Sequence, residues 1–364
     1  MPLAGPALVT EKSINMSVLL GVTPRSNQSA PDNSTTSPSG PTALHGLPFM
    51  VVYSLVFLVG LLLNGVTLRV YLCGAGASSA VAVYLRNLAA ADFMLSLFLP
   101  LRVANYATCS AAVRKAYCNF GVTAIYLNMY ASILFMGYIA ANRYFKIVQP
   151  SGSHLLQSVC AARVTSTATW LVLLAFAGTY IILSLTTQQA PPPCGGMTCC
   201  DELHSEPLRL LYKGVHAFSA AIFLLVLLAL LFFYYSTTRR LAAAQQRRAS
   251  SCGHKKLAKS RRNIVVLVVI FCVCFLPYHL VRLPYAFIPR SCSNVAILYL
   301  KEVTVAVSAL NVCLDPLIYF LLCKAFRDQL RQRQNHSEAD TFRKANTVRP
   351  VSRLNLIRDP SLQS

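Results

Sequence analysis

The chain has 364 residues, of which 55% are hydrophobic and only 12% are charged, and its mean hydropathy is +0.51. Soluble globular proteins carry about 25% charged residues, so this chain has too little polar surface to cover soluble domains of its size, and we predict that its apolar residues face lipid. The charge is one-sided, with 33 Lys and Arg against 12 Asp and Glu and a formal net charge of +21. Because the basic residues fall between long apolar runs and form no nucleic-acid-binding motif, we exclude a nucleic-acid-binding protein.

Residues 1–47 form a polar N-terminal segment that is rich in Ser, Thr, Pro and Asn. It contains three Asn-x-Ser/Thr sequences, at Asn15, Asn27 and Asn33. We predict a disordered, glycosylated extracellular arm; the alternative is that these sequences occur by chance in a Ser/Thr-rich segment. Met1–Thr10 has no Lys or Arg, so we expect the first apolar run to act as an uncleaved signal anchor.

Seven apolar stretches follow the arm, and each reaches the roughly 20 residues that a helix needs to cross about 30 Å of hydrocarbon. None shows the alternation of a barrel strand, and only helices and closed barrels satisfy their backbone in lipid. The sequence therefore predicts an all-α membrane protein with a seven-transmembrane helix bundle over 48–321. The predicted spans are 48–73, 82–104, 117–146, 160–184, 209–238, 263–288 and 298–321.

The basic residues predict the orientation of the bundle. If the N-terminal arm is outside, 23 of the 33 Lys and Arg residues fall on the cytoplasmic side, nine of them in the segment 239–262. Short loops rich in Lys and Arg stay in the cytoplasm. We therefore predict a multi-pass protein of the plasma membrane with an extracellular N-terminus and a cytoplasmic C-terminus.

Two carboxylates lie within the predicted spans, Asp92 in the second and Asp315 in the seventh. Ionisable groups are costly in a bilayer, so each is a candidate functional residue. Asn128 and Ser132, one helical turn apart in the third span, supply possible partners. Carboxylate, amide and hydroxyl oxygens at one depth predict a pocket for a hard cation, with sodium as the natural occupant. A hydrogen-bonded network that only packs the helices is the alternative.

Three spans contain an interior proline, and two cations lie near the outer ends of the sixth and seventh spans. Pro100, Pro277 and Pro316 are expected to interrupt the second, sixth and seventh spans and to act as hinges. Arg282 shares a face of the sixth span with deeper residues, and Lys301 begins the seventh span at the same level. Because Arg binds phosphate and carboxylate in bidentate fashion, these cations favour an anionic ligand. Extension of both side chains to the lipid headgroups is the alternative.

Several short motifs together resemble those of rhodopsin-like (class A) G-protein-coupled receptors over about 48–334. They are Asn64, the sequence Asn87–Asp92, the triplet Asn142-Arg143-Tyr144, Trp170, the sequence Phe271–Pro277 and the sequence Asp315–Tyr319. Within that class, the sequence Pro277–Tyr285 and the pair Lys301-Glu302 resemble the purinergic nucleotide receptors of the ADP and UDP-sugar branch. Orphan and lysophospholipid relatives share parts of this pattern, including Tyr126–Tyr130.

The resemblance implies an agonist pocket beneath the extracellular loops, in which cations bind phosphates and an aromatic ring, for which Tyr126 is the candidate, stacks on the base. The implied lining residues are Tyr126, Tyr130, Tyr212, His216, His279, Arg282, Tyr285 and Lys301. It also implies a disulfide from Cys118 to a cysteine of the second extracellular loop, where Cys194, Cys199 and Cys200 are available and Cys200 is favoured.

The resemblance further implies a population shift in which the sixth helix swings outward and Arg143 contacts a heterotrimeric, inhibitory G protein. The residues implied in this change are Asn142, Arg143, Tyr144, Tyr235, Phe275, Pro277, Pro316 and Tyr319. An amphipathic eighth helix is expected over 322–334. The cytoplasmic tail 335–364 is expected to serve receptor kinases and arrestin.

Two departures from the family pattern affect the predicted function. Asn142 replaces the usual acidic residue before Arg143, which predicts raised basal signalling, and the acidic Asp201 stands where some nucleotide receptors carry a basic residue. A lysophospholipid receptor and an orphan receptor with high basal activity are therefore the alternatives. A transporter is remote because no internal repeat is evident. We expect neither enzymatic activity nor any cofactor beyond the possible sodium ion, since His216 and His279 have no nucleophile partner in a recognisable motif.

Overall fold

The computed structural model describes residues 41–73, 79–148, 157–187, 200–246, 251–287 and 295–322. Over these ranges the chain is almost entirely helical, with a π-helical stretch at Tyr117–Gly121 and a 3-10 helix at Cys200–Leu203. The α-helices are α1 (Pro41–Cys73), α2 (Ala80–Ala107), α3 (Ala111–Ala116), α4 (Val122–Val148), α5 (Val159–Thr187), α6 (Glu206–Gln246), α7 (Ser251–Phe287), α8 (Val295–Ala309) and α9 (Asn311–Leu322).

Seven helical segments of the described chain are long and apolar enough to cross a membrane, which confirms the predicted architecture. They are called the first to seventh spans below. Their bounds are Gly46–Leu72, Ala80–Ala107, Ala111–Lys146, Val159–Thr187, Glu206–Ala243, Arg261–Phe287 and Val295–Leu321. The third span contains α3, the π-helical stretch and α4, and the seventh contains α8 and α9.

The helix ends follow local chemistry. Ser79 caps the second span by accepting a hydrogen bond from the Ala82 N–H at 3.3 Å, and Ser110 caps the third in the same way. The first helix begins at Pro41, inside the range predicted for the N-terminal arm. Proline is well tolerated at the first helical position, where its missing N–H would have no helical partner.

The spans bury one face and expose the other. Leu85 and Leu88 of the second span are fully buried, whereas Leu62, Leu171 and Leu225 of the first, fourth and fifth spans are about two-thirds exposed. A surface of this kind is unstable in water but suits contact with lipid tails. The second and third spans therefore form the centre of the bundle, and they position its polar groups.

The proline positions differ from the expectation that they interrupt the spans. The second and sixth spans remain helical through Pro100 and Pro277, and the break in the seventh span lies at Leu310, before Pro316. Pro316 has no N–H to offer the carbonyl of Val312, four residues earlier. Asn64 instead donates its Nδ2 hydrogen to that carbonyl at 2.8 Å, so the first span supplies the hydrogen bond that the proline removes.

Some predicted features lie outside the described residues. These are the glycosylation sequences at Asn15, Asn27 and Asn33, the eighth helix beyond Leu322 and the tail 335–364.

Candidate ligand-binding site

A disulfide holds the second extracellular loop over the outer end of the third span. Cys118 is bonded to Cys200 with their Cα atoms 5.5 Å apart, which confirms the favoured pairing. Cys200 begins the short 3-10 helix, and Leu203 at its end is buried against Tyr117 and Cys118. The bond and this apolar contact fix the position of the intervening Asp201.

Arg282 of the sixth span is the centre of the outer site. Its guanidinium is buried and donates to the Tyr126 hydroxyl at 2.7 Å and to His216 Nε2 at 3.3 Å. The guanidinium carbon also lies 5.1 Å from the ring centre of Tyr212 and 4.9 Å from that of Tyr285. The third, fifth and sixth spans thus bring four predicted pocket residues around one cation.

The ring of His216 is oriented by its second nitrogen. Nδ1 lies 2.8 Å from the backbone carbonyl of Tyr212, which can only accept, so Nδ1 carries the proton. In the neutral ring Nε2 then carries a lone pair that is directed at Arg282. This arrangement lets the imidazole hold the guanidinium without adding a second positive charge.

Lys301 of the seventh span belongs to a second group of charges. Its Nζ lies 3.3 Å from Glu302 and 4.9 Å from the ring centre of Tyr285. Glu302 also pairs with Arg102 of the second span and accepts from the Tyr106 hydroxyl at 2.5 Å. Arg102 was not predicted as a site residue, although a buried ionisable group inside a span is itself the signal that marks one.

Asp201 connects the loop to both groups. Its Oδ1 lies 4.0 Å from Arg282 and 4.0 Å from His204 Nδ1. Burial alone raises the pKa of this carboxyl, but the charges of Arg282 and Lys301 outweigh burial and hold the pKa at about 2. Burial lowers the pKa of His204, which opposes a positive charge there. Asp201 is therefore a fixed anion beside two cations.

Two predicted pocket residues lie deeper. The His279 ring stacks on Phe223 with centres 3.9 Å apart, and its Nδ1 lies 2.8 Å from the carbonyl of Phe275. Tyr130 is buried, with its ring centre 6.0 Å from that of His279. These contacts place Tyr130 and His279 in an aromatic layer, whereas the other predicted residues are Arg282, Lys301 and the four side chains around them.

Two cavities border this arrangement. A small polar cavity of about 40 Å³ is lined by three cations and two carboxylates, which are Arg102, Arg282, Lys301, Asp201 and Glu302. A larger, mainly apolar cavity of about 340 Å³ lies among the third, fourth and fifth spans. Tyr126 and Tyr180 line both cavities.

A separate polar cluster lies in the inner half of the bundle around Asp92. The fully buried Asp92 accepts from Asn128 Nδ2 at 2.8 Å and from the Tyr319 hydroxyl at 3.1 Å. Neighbouring Asn311 donates to the Ser132 hydroxyl at 3.1 Å. The second, third and seventh spans thus converge on one carboxylate.

The surroundings of Asp315 show whether this cluster has the ligands that a cation needs. The Asp315 carboxyl lies beside that of Asp92 and near Asn311, is fully buried, and neither oxygen makes a hydrogen bond of ordinary geometry. Two adjacent carboxylates with the hydroxyl of Ser132 nearby form the oxygen-rich donor set that a hard cation prefers. The described residues contain no group of three His, Cys, Asp or Glu, so neutral oxygens would complete the coordination.

The residues implied in activation lie at several depths of the bundle. Asn142 is buried beside the half-buried Arg143, and Tyr144 stacks on Phe233 with ring centres 4.9 Å apart. Phe275 of the sixth span is fully buried, whereas Tyr235 of the fifth is 59% exposed on the outer surface of the bundle.

The fold and these motifs define a seven-transmembrane receptor. The chain matches the family described as 7 transmembrane receptor (rhodopsin family) over residues 63–319, which is more than half of its length, and it belongs to that family. It is therefore a multi-pass membrane receptor that acts through ligands and G proteins, and not an enzyme.

The chain is related to the P2Y receptors. It is 33% identical to P2Y purinoceptor 14 of Bos taurus over 311 residues, covering 82% of this chain and 90% of that protein. It is 30% identical to P2Y purinoceptor 13 of Homo sapiens, covering 79% and 82%. It is 29% identical to G-protein coupled receptor 87 of Mus musculus, covering 82% and 84%.

Proposed function

We propose that the ligand of this receptor is an extracellular anionic small molecule, with a nucleotide or nucleotide sugar as the first candidate. The observation that carries the proposal is the charge of the outer cavity, where three buried cations face only two carboxylates. A bound anion would compensate the remaining positive charge. Arg282 suits a phosphate through bidentate hydrogen bonds, and Tyr126 offers an aromatic face to a base.

The relatives support the same class of ligand. Two of them are purinoceptors by name, and each covers about four-fifths of this chain. The rings of Tyr126, Tyr212 and Tyr285 around Arg282 also suit a ligand that combines an aromatic base with phosphates.

Asp201 gives the proposal a mechanism. The carboxylate stands beside Arg282 and Lys301, and the cavity of about 40 Å³ is too small for a nucleotide while these side chains keep their positions. Ligand binding would therefore displace Asp201 and exchange one anion for another. The population would then shift towards the signalling state only as far as the ligand binds that conformation more tightly than the resting one.

A lysophospholipid is the second candidate, because a large apolar cavity begins at Tyr126 and His216, the residues that contact Arg282. A nucleotide has no hydrocarbon chain to place in such a cavity. Both candidates would place a phosphate at Arg282.

The test is a cAMP assay in transfected cells with ADP, UDP-sugars and lysophospholipids, repeated with Arg282→Ala and Lys301→Ala. Truncating a buried charged partner typically costs about 2–5 kcal/mol, so each variant should lose at least about thirtyfold in agonist potency. Arg209→Ala, which removes an exposed cation at the outer end of the fifth span, is the matched control. Full potency in both buried variants would refute the assigned pocket.

We also propose that the N-terminus is extracellular and that the cytoplasmic side couples to an inhibitory G protein. Receptor kinases and arrestin would act on the same side. The basic segment 239–262 supports this orientation. Asn142 before Arg143 would hold the resting arginine by a hydrogen bond instead of an ion pair, which supports raised basal signalling. Asn142→Asp should lower ligand-free activity, and unchanged basal cAMP at matched surface expression would contradict this.

We further propose that Asp92 and Asp315, with Asn128 and Ser132 beside them, hold an allosteric sodium ion. The ion would supply the positive charge that the paired carboxylates lack. Asp315, neither of whose oxygens makes a hydrogen bond of ordinary geometry, supports this assignment.

A further inference from the structure

An apolar cavity in the described part of the chain lies beside the charged site and has different walls. Its volume of about 340 Å³ is within the range of small-molecule pockets. The third span contributes Leu134 to its wall, the fourth Leu173 and Phe176, and the fifth Phe218 and Ile222. These aliphatic and aromatic walls suit hydrocarbon and offer little to a polar ligand.

The cavity opens to the surface that faces lipid. Val172, Phe176 and Phe218 line the cavity and are also 53%, 42% and 52% exposed. Phe176 of the fourth span and Phe218 of the fifth contact each other with ring centres 5.9 Å apart, so the opening between these spans lies beside this aromatic contact. A hydrocarbon chain can therefore reach the cavity from the bilayer without passing through water.

The other end of the cavity is next to a cation. Tyr126 and His216 line the wall, and both are hydrogen-bonded to Arg282, at 2.7 and 3.3 Å. A ligand in the cavity thus meets hydrocarbon along most of its length, and a positive charge lies directly behind the Tyr126 and His216 side chains. A site with this arrangement suits an anionic amphiphile that has a single hydrocarbon chain.

We propose that this cavity binds the hydrocarbon chain of a single-chain phospholipid, which enters from the bilayer between the fourth and fifth spans, beside the contacting rings of Phe176 and Phe218, and directs its phosphate towards Arg282. The position of the phosphate rests on the proposed function, whereas the chain site rests on the cavity itself. A nucleotide and this lipid would compete for Arg282, and only the lipid would gain affinity from the cavity.

The experiment measures binding of lysophosphatidic acids of increasing chain length, with glycerol phosphate as the chainless probe, to the purified full-length receptor in nanodiscs. Affinity should rise by up to about fourfold for each methylene group buried, until the cavity is full, and should then level off. Equal affinity at all chain lengths would overturn the proposal.

Variants that fill the cavity locate the chain. Ala177 of the fourth span lines the cavity, whereas the exposed Ala175 on the same helix does not. Ala177→Trp should reduce the affinity of long-chain lipids to nearly that of glycerol phosphate, and Ala175→Trp should leave it unchanged. Ala168→Phe, at a more exposed position of the wall, is the second filling variant if Ala177→Trp does not fold. Equal affinity in a folded filling variant and in Ala175→Trp would refute the site.

The same measurements separate this proposal from the proposed function. Arg282→Ala should lower affinity by one factor at every chain length, because it removes only the phosphate contact. If Arg282→Ala has no effect but the chain-length dependence persists, the anion site is wrong and the chain site stands. If Arg282→Ala lowers the affinity of every probe but chain length has no effect, the chain site is wrong and the anion site stands.

Discussion

The outer polar cavity of the bundle is lined by three cations and two carboxylates, whereas the inner cluster holds two adjacent carboxylates that no salt bridge reaches among the described residues. Both lie within a bundle of low polarity, where an uncompensated charge is costly. The outer carboxylates compensate two of the three outer cations. The inner carboxylates have no side-chain cation among the described residues, so a proton or a cation has to complete the pair.

This difference shows how each layer can respond to a ligand. In the proposed mechanism an incoming anion replaces Asp201 beside Arg282, so its net gain would be the difference between two anions. In the inner cluster an incoming cation replaces no side-chain cation within the described structure. The outer layer therefore suits selective recognition, and the inner layer suits an ion that stabilises one conformation of the bundle.

The largest effect is expected for Glu302, whose removal would break the balance of the outer layer. Glu302→Ala leaves Arg102 and Lys301 buried without their carboxylate. Removing one partner of a buried ion pair typically destabilises a protein by about 3–5 kcal/mol. Thermal unfolding of the purified receptor should show a large loss of stability.

The exposed pair Glu206–Arg209 provides the control for that prediction, because the Glu206 side chain is 82% exposed. Surface ion pairs contribute about 0–1 kcal/mol, so Glu206→Ala should unfold close to the parent temperature. Equal stability of Glu302→Ala and Glu206→Ala would show that the outer charges are not coupled in this way.

The second prediction concerns Asp201, which competes with the ligand in the proposed mechanism. Asp201→Asn removes the internal anion but keeps the size of the side chain. Potency of an anionic agonist should increase about tenfold, equivalent to ~1.4 kcal/mol. Dose–response curves for cAMP measure the change, with Glu206→Gln as an exposed carboxylate control. Unchanged or lower potency would mean that Asp201 supports the pocket and does not occupy the ligand's place.

The sequence was sufficient for the spans and for the inner cluster, because both depend on local composition. Twenty or so apolar residues predict a span without reference to its neighbours. Asp92 and Asp315 are the two acidic residues within the central parts of these runs, so they could be recognised before their partners were known.

The outer layer could not be predicted in the same way, because it depends on how the spans rotate and approach each other. Arg282, His216 and Tyr126 come from three different spans, and their hydrogen bonds follow from packing. Arg102 near the outer end of its span was counted only as an outer cation, and its pairing with Glu302, 200 residues away, has no local signal. The break at Leu310 was also missed because no proline or glycine marks it.

The third prediction tests the inner layer. If sodium compensates Asp92 and Asp315 and favours the resting bundle, sodium should lower agonist affinity by about fivefold, near the lower end of allosteric coupling. Asp92→Asn should remove this dependence, because one carboxylate less leaves less charge to compensate. Agonist binding to membranes in sodium or in choline buffer measures the effect. A sodium effect of the same size in Asp92→Asn would place the ion elsewhere.

The smallest effect is expected from a change of pH. It tests whether Asp201 of the outer layer stays charged. Its pKa of about 2 is below that of an ordinary carboxyl, so the stability that its ionised form contributes is present above the unfolded-state pKa and is lost only as the pH falls towards 2. The ratio of agonist potencies between Asp201→Asn and the parent should therefore change less than about twofold between neutral pH and about pH 5. Taking the ratio cancels any titration of the agonist's phosphate. A ratio that narrows towards one at about pH 5 would show that Asp201 takes up a proton in this range, and that the cations of the outer layer are not close enough to keep it charged.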